Sequence, residues 1–371
     1  MEIMQFKQNA SLFRPLALTC IIMGATAIDQ AQALTSTPVR EELFRYTLLS
    51  DRMEIYRAHK NPEREQFFKL DLAVSSGLKD LIGDIKSGNS SSSNAVTKQI
   101  EILGLLNKSI NTERYVDLKA GIGIPLPYFS ISKIHFLPSL FYELGLGASL
   151  SISNFGDVQN PRAQTYVKKE TKMGLESKVS RTGKFDFSAA LYTLDRADAS
   201  NTLTATNLAA GQDLVSFDSL NQSQKFLAFD FAVTKKRAAY QYTLKMRELP
   251  IKTLTETRAS DFGKSPLLQA GVEREFKFDA FTYQWSLGVH YRKRYALADG
   301  FFLYQKLYSF KTIPITLHSF LDNESLFISP SLKFSICEMS YGYKLIYRNP
   351  IDNMWVPGVH NILFSVNFPA P

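Results

Sequence analysis

Lys168, Glu170, Lys172, Glu176 and Lys178 sit on one parity of a short stretch whose other parity carries Lys169, Thr171, Met173 and Leu175. In an extended chain successive side chains point to opposite faces, so these five charges share a face. A row of mixed charges can attract and pass solute ions, or it can pair internally and close the space that it lines. Asp230, Lys245, Arg247, Glu273, Glu275 and Arg292 take the polar parity of later segments, as do Asp186, Lys277, Lys333, Lys344 and Arg348. As a conducting lining this set would slightly favour anions. As a packed network it would block water.

Other chemistry is thinly represented. A hydrolase needs a nucleophile beside a base, and His318 with Ser319, or His290 with Ser286, are the pairings on offer. Adjacent strand residues face opposite ways, which counts against His318 and Ser319 acting together. There is no H-E-x-x-H, paired C-x-x-C, phosphate loop or calcium loop, and no metal or cofactor is expected. Gly121-x-Gly123 and Gly145-x-Gly147 read as small residues that make interior space, not as nucleotide-binding glycines.

The charged faces need strands to hold them. Leu140, Tyr142, Leu144, Leu146, Ala148, Leu150 and Ile152 alternate with Phe141, Glu143, Gly145, Gly147, Ser149, Ser151 and Ser153, a run too long for an ordinary soluble strand. Phe281, Tyr283, Trp285, Leu287 and Val289 alternate with Thr282, Gln284, Ser286, Gly288 and His290. Similar patterns recur from Val116, Leu227 and Tyr240. Each covers about the 9 to 11 residues that a tilted membrane strand requires.

Short turns are expected near Arg181 to Lys184, Lys235 to Arg237, Asp279-Ala280 and Glu338 to Ser340. Longer connections are expected over Asp195 to Gln222, Pro250 to Ser265, Arg294 to Gly300 and Asn349 to Gly358. The pattern predicts an all-β, antiparallel up-and-down barrel of 12 to 14 strands over residues 113 to 371. Two segments disturb it. Lys306 shares the parity of Tyr304 and Tyr308, which predicts a bulge there, and Pro330 interrupts a strand-like run.

Residues 1 to 33 have the layout of a secretory signal peptide: Lys7 and Arg14, an apolar stretch from Pro15 to Ala27, then Ala31-Gln32-Ala33 as the preferred cleavage site. Its charges cancel, so the mature chain keeps the net charge of +8, a mild excess that does not point to nucleic acid. Cys337 is then the only cysteine and no internal disulfide can form. Residues 34 to 112 read as a mixed region that is either a plug or periplasmic domain or a simple extension. It would hold a helix starting at Pro38, a strand over Phe68 to Val74, a flexible Ser-rich linker from Ser87 to Asn94 and a second helix around Val96 to Leu106.

Ile362, Phe364, Val366 and Phe368 share one face of the last strand, which resembles the aromatic-ended terminal strand of Gram-negative outer-membrane barrels. That resemblance covers the chain from about Arg114 onward and departs from the usual pattern at Pro369-Ala370-Pro371. It implies insertion by the barrel-assembly machinery into a membrane of lipid and lipopolysaccharide. Three functions follow as expectations: a porin-like channel or transporter for small solutes, a closed barrel acting through its outer loops, and a lipid-modifying enzyme.

Overall fold

The computed structural model describes residues 38–60, 66–90, 94–131, 134–153, 161–181, 185–214, 220–258, 264–309, 315–348 and 358–367. The expected signal peptide, Phe368 and the tail beyond it lie outside them, as do most of the turn at 182–184 and the connection at 349–357.

Among the described residues fifteen strands form one sheet, and every pairing within it is antiparallel. In chain order they are β1 (Gln66–Ser75), β2 (Thr112–Pro125), β3 (Phe129–Ile131), β4 (Ile134–Ser153), β5 (Arg162–Arg181), β6 (Phe185–Thr204), β7 (Gln224–Arg237) and β8 (Tyr240–Glu256). The others are β9 (Leu267–Lys277), β10 (Phe281–Tyr291), β11 (Phe301–Ser309), β12 (Ile315–Asp322), β13 (Ser325–Phe334), β14 (Cys337–Ile346) and β15 (Val359–Asn367). β3 is a hairpin spur on β4. The remaining 14 close into a ring, because β1 pairs with both β15 and β2 while β2 pairs with β4. A closed ring leaves no sheet edge unsatisfied. Among the described residues no helix is long and apolar enough to cross a membrane.

The side chains sort by parity as expected. Leu140, Tyr142, Leu146, Leu175, Leu191, Leu287, Ile362 and Phe364 are exposed on the outside, while Ser286, His290, Asn361 and Ser365 are buried inside. β1 corrects the expected boundary at residue 113: the strand at Phe68 to Val74 belongs to the ring, so the wall begins at Gln66. Both ring partners of β1 are far away in sequence, so its own pattern reveals the strand but not its place.

β11 corrects a second expectation. Phe302 and Tyr304 are buried in the interior, Lys306 and Tyr308 follow on the same parity, and the register with β10 and β12 runs without a break. No bulge is needed, because both faces of this strand are apolar and the aromatic one has something inside to pack on. β13 runs through Pro330, and its ladder with β14 lapses between Ile328 and Ser331, where the missing donor is tolerated. Two hairpin turns shift by a few residues, to Ala238-Ala239 and Ser335-Ile336.

Among the described residues there are four α-helices: α1 (Pro38–Lys60), α2 (Leu78–Ser90), α3 (Ala95–Lys108) and α4 (Ala205–Ala209). α2 takes up part of the stretch expected to be a flexible linker. α2, α3 and α4 pack on Leu150, Ile152, Ala163 and Leu203, at one end of the barrel. That end carries the long connections. The other carries the short turns, apart from Asn323-Glu324, together with the β2–β4 connection and the end of β15.

α1 opens with proline at its first position and has Pro62 just beyond its last turn, a residue that disfavours helix before it. Its 23 residues span about 34 Å, comparable to the ~30 Å of a hydrocarbon core. This helix lies inside the ring.

Candidate functional site: a helix held in a charged lumen

One side of α1 is aromatic. Ile55 and Tyr56 pack with Phe302, Tyr304, Phe320 and Phe327 on β11 to β13. Tyr56 meets Phe327 edge-on, at 4.3 Å between centroids and 83° between planes. Such a pair contributes about 0.5 to 1.5 kcal/mol beyond area burial. His59 lies against Phe302 and Tyr304, with Nδ1 2.8 Å from the Ile55 carbonyl and Nε2 3.4 Å from Ser286 Oγ.

The opposite side is ionic. Arg57 reaches Asp71 at 2.8 Å and Asp117 at 2.6 Å, on β1 and β2. Arg52, on the aromatic side one turn before Tyr56, pairs with Glu324 at 2.7 Å and donates to the Asp299 carbonyl at 2.9 Å, both in connections at the long-loop end. Asp51 accepts two 2.9 Å hydrogen bonds from Arg292 and one of 2.9 Å from Tyr295. Glu54 faces Arg247 at 3.2 Å, Lys119 at 3.5 Å and Lys172 at 3.8 Å.

Glu248 ties the wall strands together. Its carboxylate takes Lys172 at 2.8 Å, Arg196 at 3.1 Å and Arg292 at 3.1 Å, and Arg196 continues to Glu170 at 2.5 Å. The result is a crossbar of charge from β5 through β6 and β8 to the start of the β10–β11 connection, with Asp51 and Glu54 of α1 docked on it. Between α1 and the β1–β8 wall lies a cavity of about 160 Å³, lined by residues including Lys69, Lys119, Glu143, Glu176, Asp230, Lys245 and Arg247. The crossbar sits at the side of it nearer the long loops.

Of the charged residues read from the sequence, Lys168, Glu170, Lys172, Arg247 and Arg292 join the network directly. Lys168 bonds Ser50 of α1 at 3.2 Å. Asp230 accepts from Tyr192 Oη at 2.6 Å and, with Glu176 and Lys245, lines the cavity. Lys178 is half-buried lower on β5. Glu273 is half-buried, while Glu275, 3.4 Å from Lys277, is exposed at the short-turn rim; neither is drawn into the network. The sequence reading missed Glu248 and every charge of α1.

The hydrolase pairings do not form. His318 is buried inside with Nδ1 2.7 Å from Tyr304 Oη and Nε2 3.1 Å from Ser331 Oγ, whereas Ser319, on the other parity, donates to Gln305. His290 meets Tyr295 at 2.7 Å, and Ser286 meets His59 instead. Among the described residues no cluster that could hold a metal ion occurs.

A closed antiparallel ring with a greasy exterior, a charged interior and short turns at one end is the fold of an outer-membrane β-barrel. No family model and no curated protein sequence matches the chain. Solved structures similar to it are barrels. They include a monoaromatic hydrocarbon channel, the TodX deltaS2S3 mutant (9% identity, 81% of this chain and 89% of that chain, TM-score 0.44). The transport unit of the autotransporter AIDA-I from Escherichia coli is another (8% identity, 83% and 92%, TM-score 0.38). CdiB from Acinetobacter baumannii is a third (9% identity, 82% and 60%, TM-score 0.36). The chain spans 60% of that CdiB and 64% of its Escherichia coli counterpart. The assignment of the fold rests on the strand pairing itself.

Proposed function

We propose that this chain is an outer-membrane channel or transporter for small solutes whose resting state is closed, with α1 and the Glu248 crossbar as the closure. The observation that carries this reading is the asymmetry of the lumen. α1 leans by its aromatic side on β11 to β13 and leaves a polar cavity against β1 to β8, which ends at ion pairs instead of packed carbon. Buried ion pairs return much of their desolvation cost when water re-enters. A closure made of them can therefore open without exposing a greasy surface.

Single-channel recording on the refolded full chain tests this. Wild type is expected to be silent with rare openings. Asp51→Asn, which weakens the grip of Arg292 on α1, is expected to open more often. Large steady conductance in wild type would remove the closure. Silence in wild type and in Asp51→Asn alike would favour a closed barrel that acts through its outer loops.

A further inference from the structure

The direction in which α1 runs fixes where its first residue lies. β1 starts level with the end of β15, since Gln66 pairs with Asn367, and Asn367 in turn donates its amide to Ile336 in a short hairpin turn. The chain following Lys60 therefore enters the wall at the short-turn end, which in bacterial barrels is the periplasmic end. Moving backward along α1, His59 lies by Ser286 inside the ring, and Asp51 and Arg52 already reach the long-loop end through Arg292, Tyr295, Asp299 and Glu324. Pro38 is 14 residues before Arg52, which is about 21 Å of helix. The helix continues beside the tall wall of β4 and β5, where Tyr46 packs with Tyr166 and a Cβ at Gly147 would collide with the Tyr46 hydroxyl.

We infer that the barrel carries its own N-terminal helix through the lumen, so that the Pro38 end of α1 is presented at the outer surface of the cell. This rests on the outer-membrane reading for its sense of inside and outside, but not on conduction. A chain exported with its N-terminus in the periplasm reaches this arrangement only if that terminus is threaded through the ring before or as β1, β15 and β2 close around it. α1 is then itself a translocated segment, and the ion pairs along it are what hold it in place.

Thiol labelling of intact cells with a membrane-impermeant maleimide tests the inference, and Cys337 at the start of β14 supplies the inner reference. Three forms of the full chain, each with Cys20→Ser, are compared: one with Cys337 as its single thiol, and Cys337→Ser carrying either Val39→Cys or, as outer reference, Gln212→Cys in the β6–β7 connection. Labelling of Val39→Cys comparable to that of Gln212→Cys, with Cys337 labelled only after permeabilisation, supports it. Gln212→Cys labelled on intact cells while Val39→Cys waits for permeabilisation overturns it and leaves the barrel standing. Cys337 labelled on intact cells with Gln212→Cys protected overturns the orientation itself. Because the tall wall could shield residue 39, a peptide epitope placed directly before Pro38 gives a second readout. Antibody binding to intact cells is expected, and binding only after permeabilisation overturns the inference.

Discussion

The backbone amide of Glu248 donates a 2.8 Å hydrogen bond to Oδ1 of Asp230, at the point where β8 carries one residue more than β7. Phe229 pairs with Leu249 and Phe231 with Met246, so Arg247 and Glu248 together oppose Asp230, and Glu248 adopts φ 56°. A bulge of this kind turns a side chain from one face of a strand to the other. Here it brings Glu248 into the lumen, where three cations meet it. Removing its charge leaves Lys172, Arg196 and Arg292 underpaired in a buried site, which typically costs about 3 to 5 kcal/mol. Glu248→Gln is expected to lower the unfolding free energy from urea titration in detergent by that order, with a lower midpoint to match. A midpoint equal to wild type would mean that water already satisfies the cations.

Much of the wall was legible from residues alone, because a two-sided strand in a membrane must alternate. Leu140 to Ile152 and Phe281 to Val289 announce their faces with no help from partners. The crossbar was only half legible. Lys172, Arg247 and Arg292 follow parity, but Glu248 reaches the lumen through a bulge, which no alternation rule can foresee. Likewise Phe302 and Tyr304 look like lipid-facing residues until Tyr56 is placed behind them, a contact between residues some 250 positions apart in sequence. Local pattern records which face is greasy, and not whether the grease meets lipid or a helix.

Tyr56 is the center of that aromatic contact, buried among Phe320, Phe327 and Tyr304. Truncating a buried aromatic of this size costs about 3 to 5 kcal/mol. Tyr56→Ala should therefore unseat α1 without disturbing the ring, because no strand pairing depends on it. Limited proteolysis is expected to cut α1 while the barrel strands stay protected. Loss of the barrel together with α1 would show instead that the helix is needed to hold the ring.

Two hairpin turns carry non-glycine residues in the left-handed region, Ala238 at φ 51° and Ser335 at φ 51°. A Cβ in that conformation crowds the neighbouring carbonyl and costs about 1 to 2 kcal/mol, while glycine gives back part of the gain through its greater freedom in the unfolded chain. Ala238 is exposed and joins β7 to β8 in two residues, so its substitution touches nothing else. Ala238→Gly is expected to stabilise the barrel by up to ~1 kcal/mol in urea titration and to leave conductance unchanged. A loss of stability would mean that the turn relaxes out of the left-handed region in the folded protein, and with it would go the tight β7–β8 register that positions the bulge at Glu248.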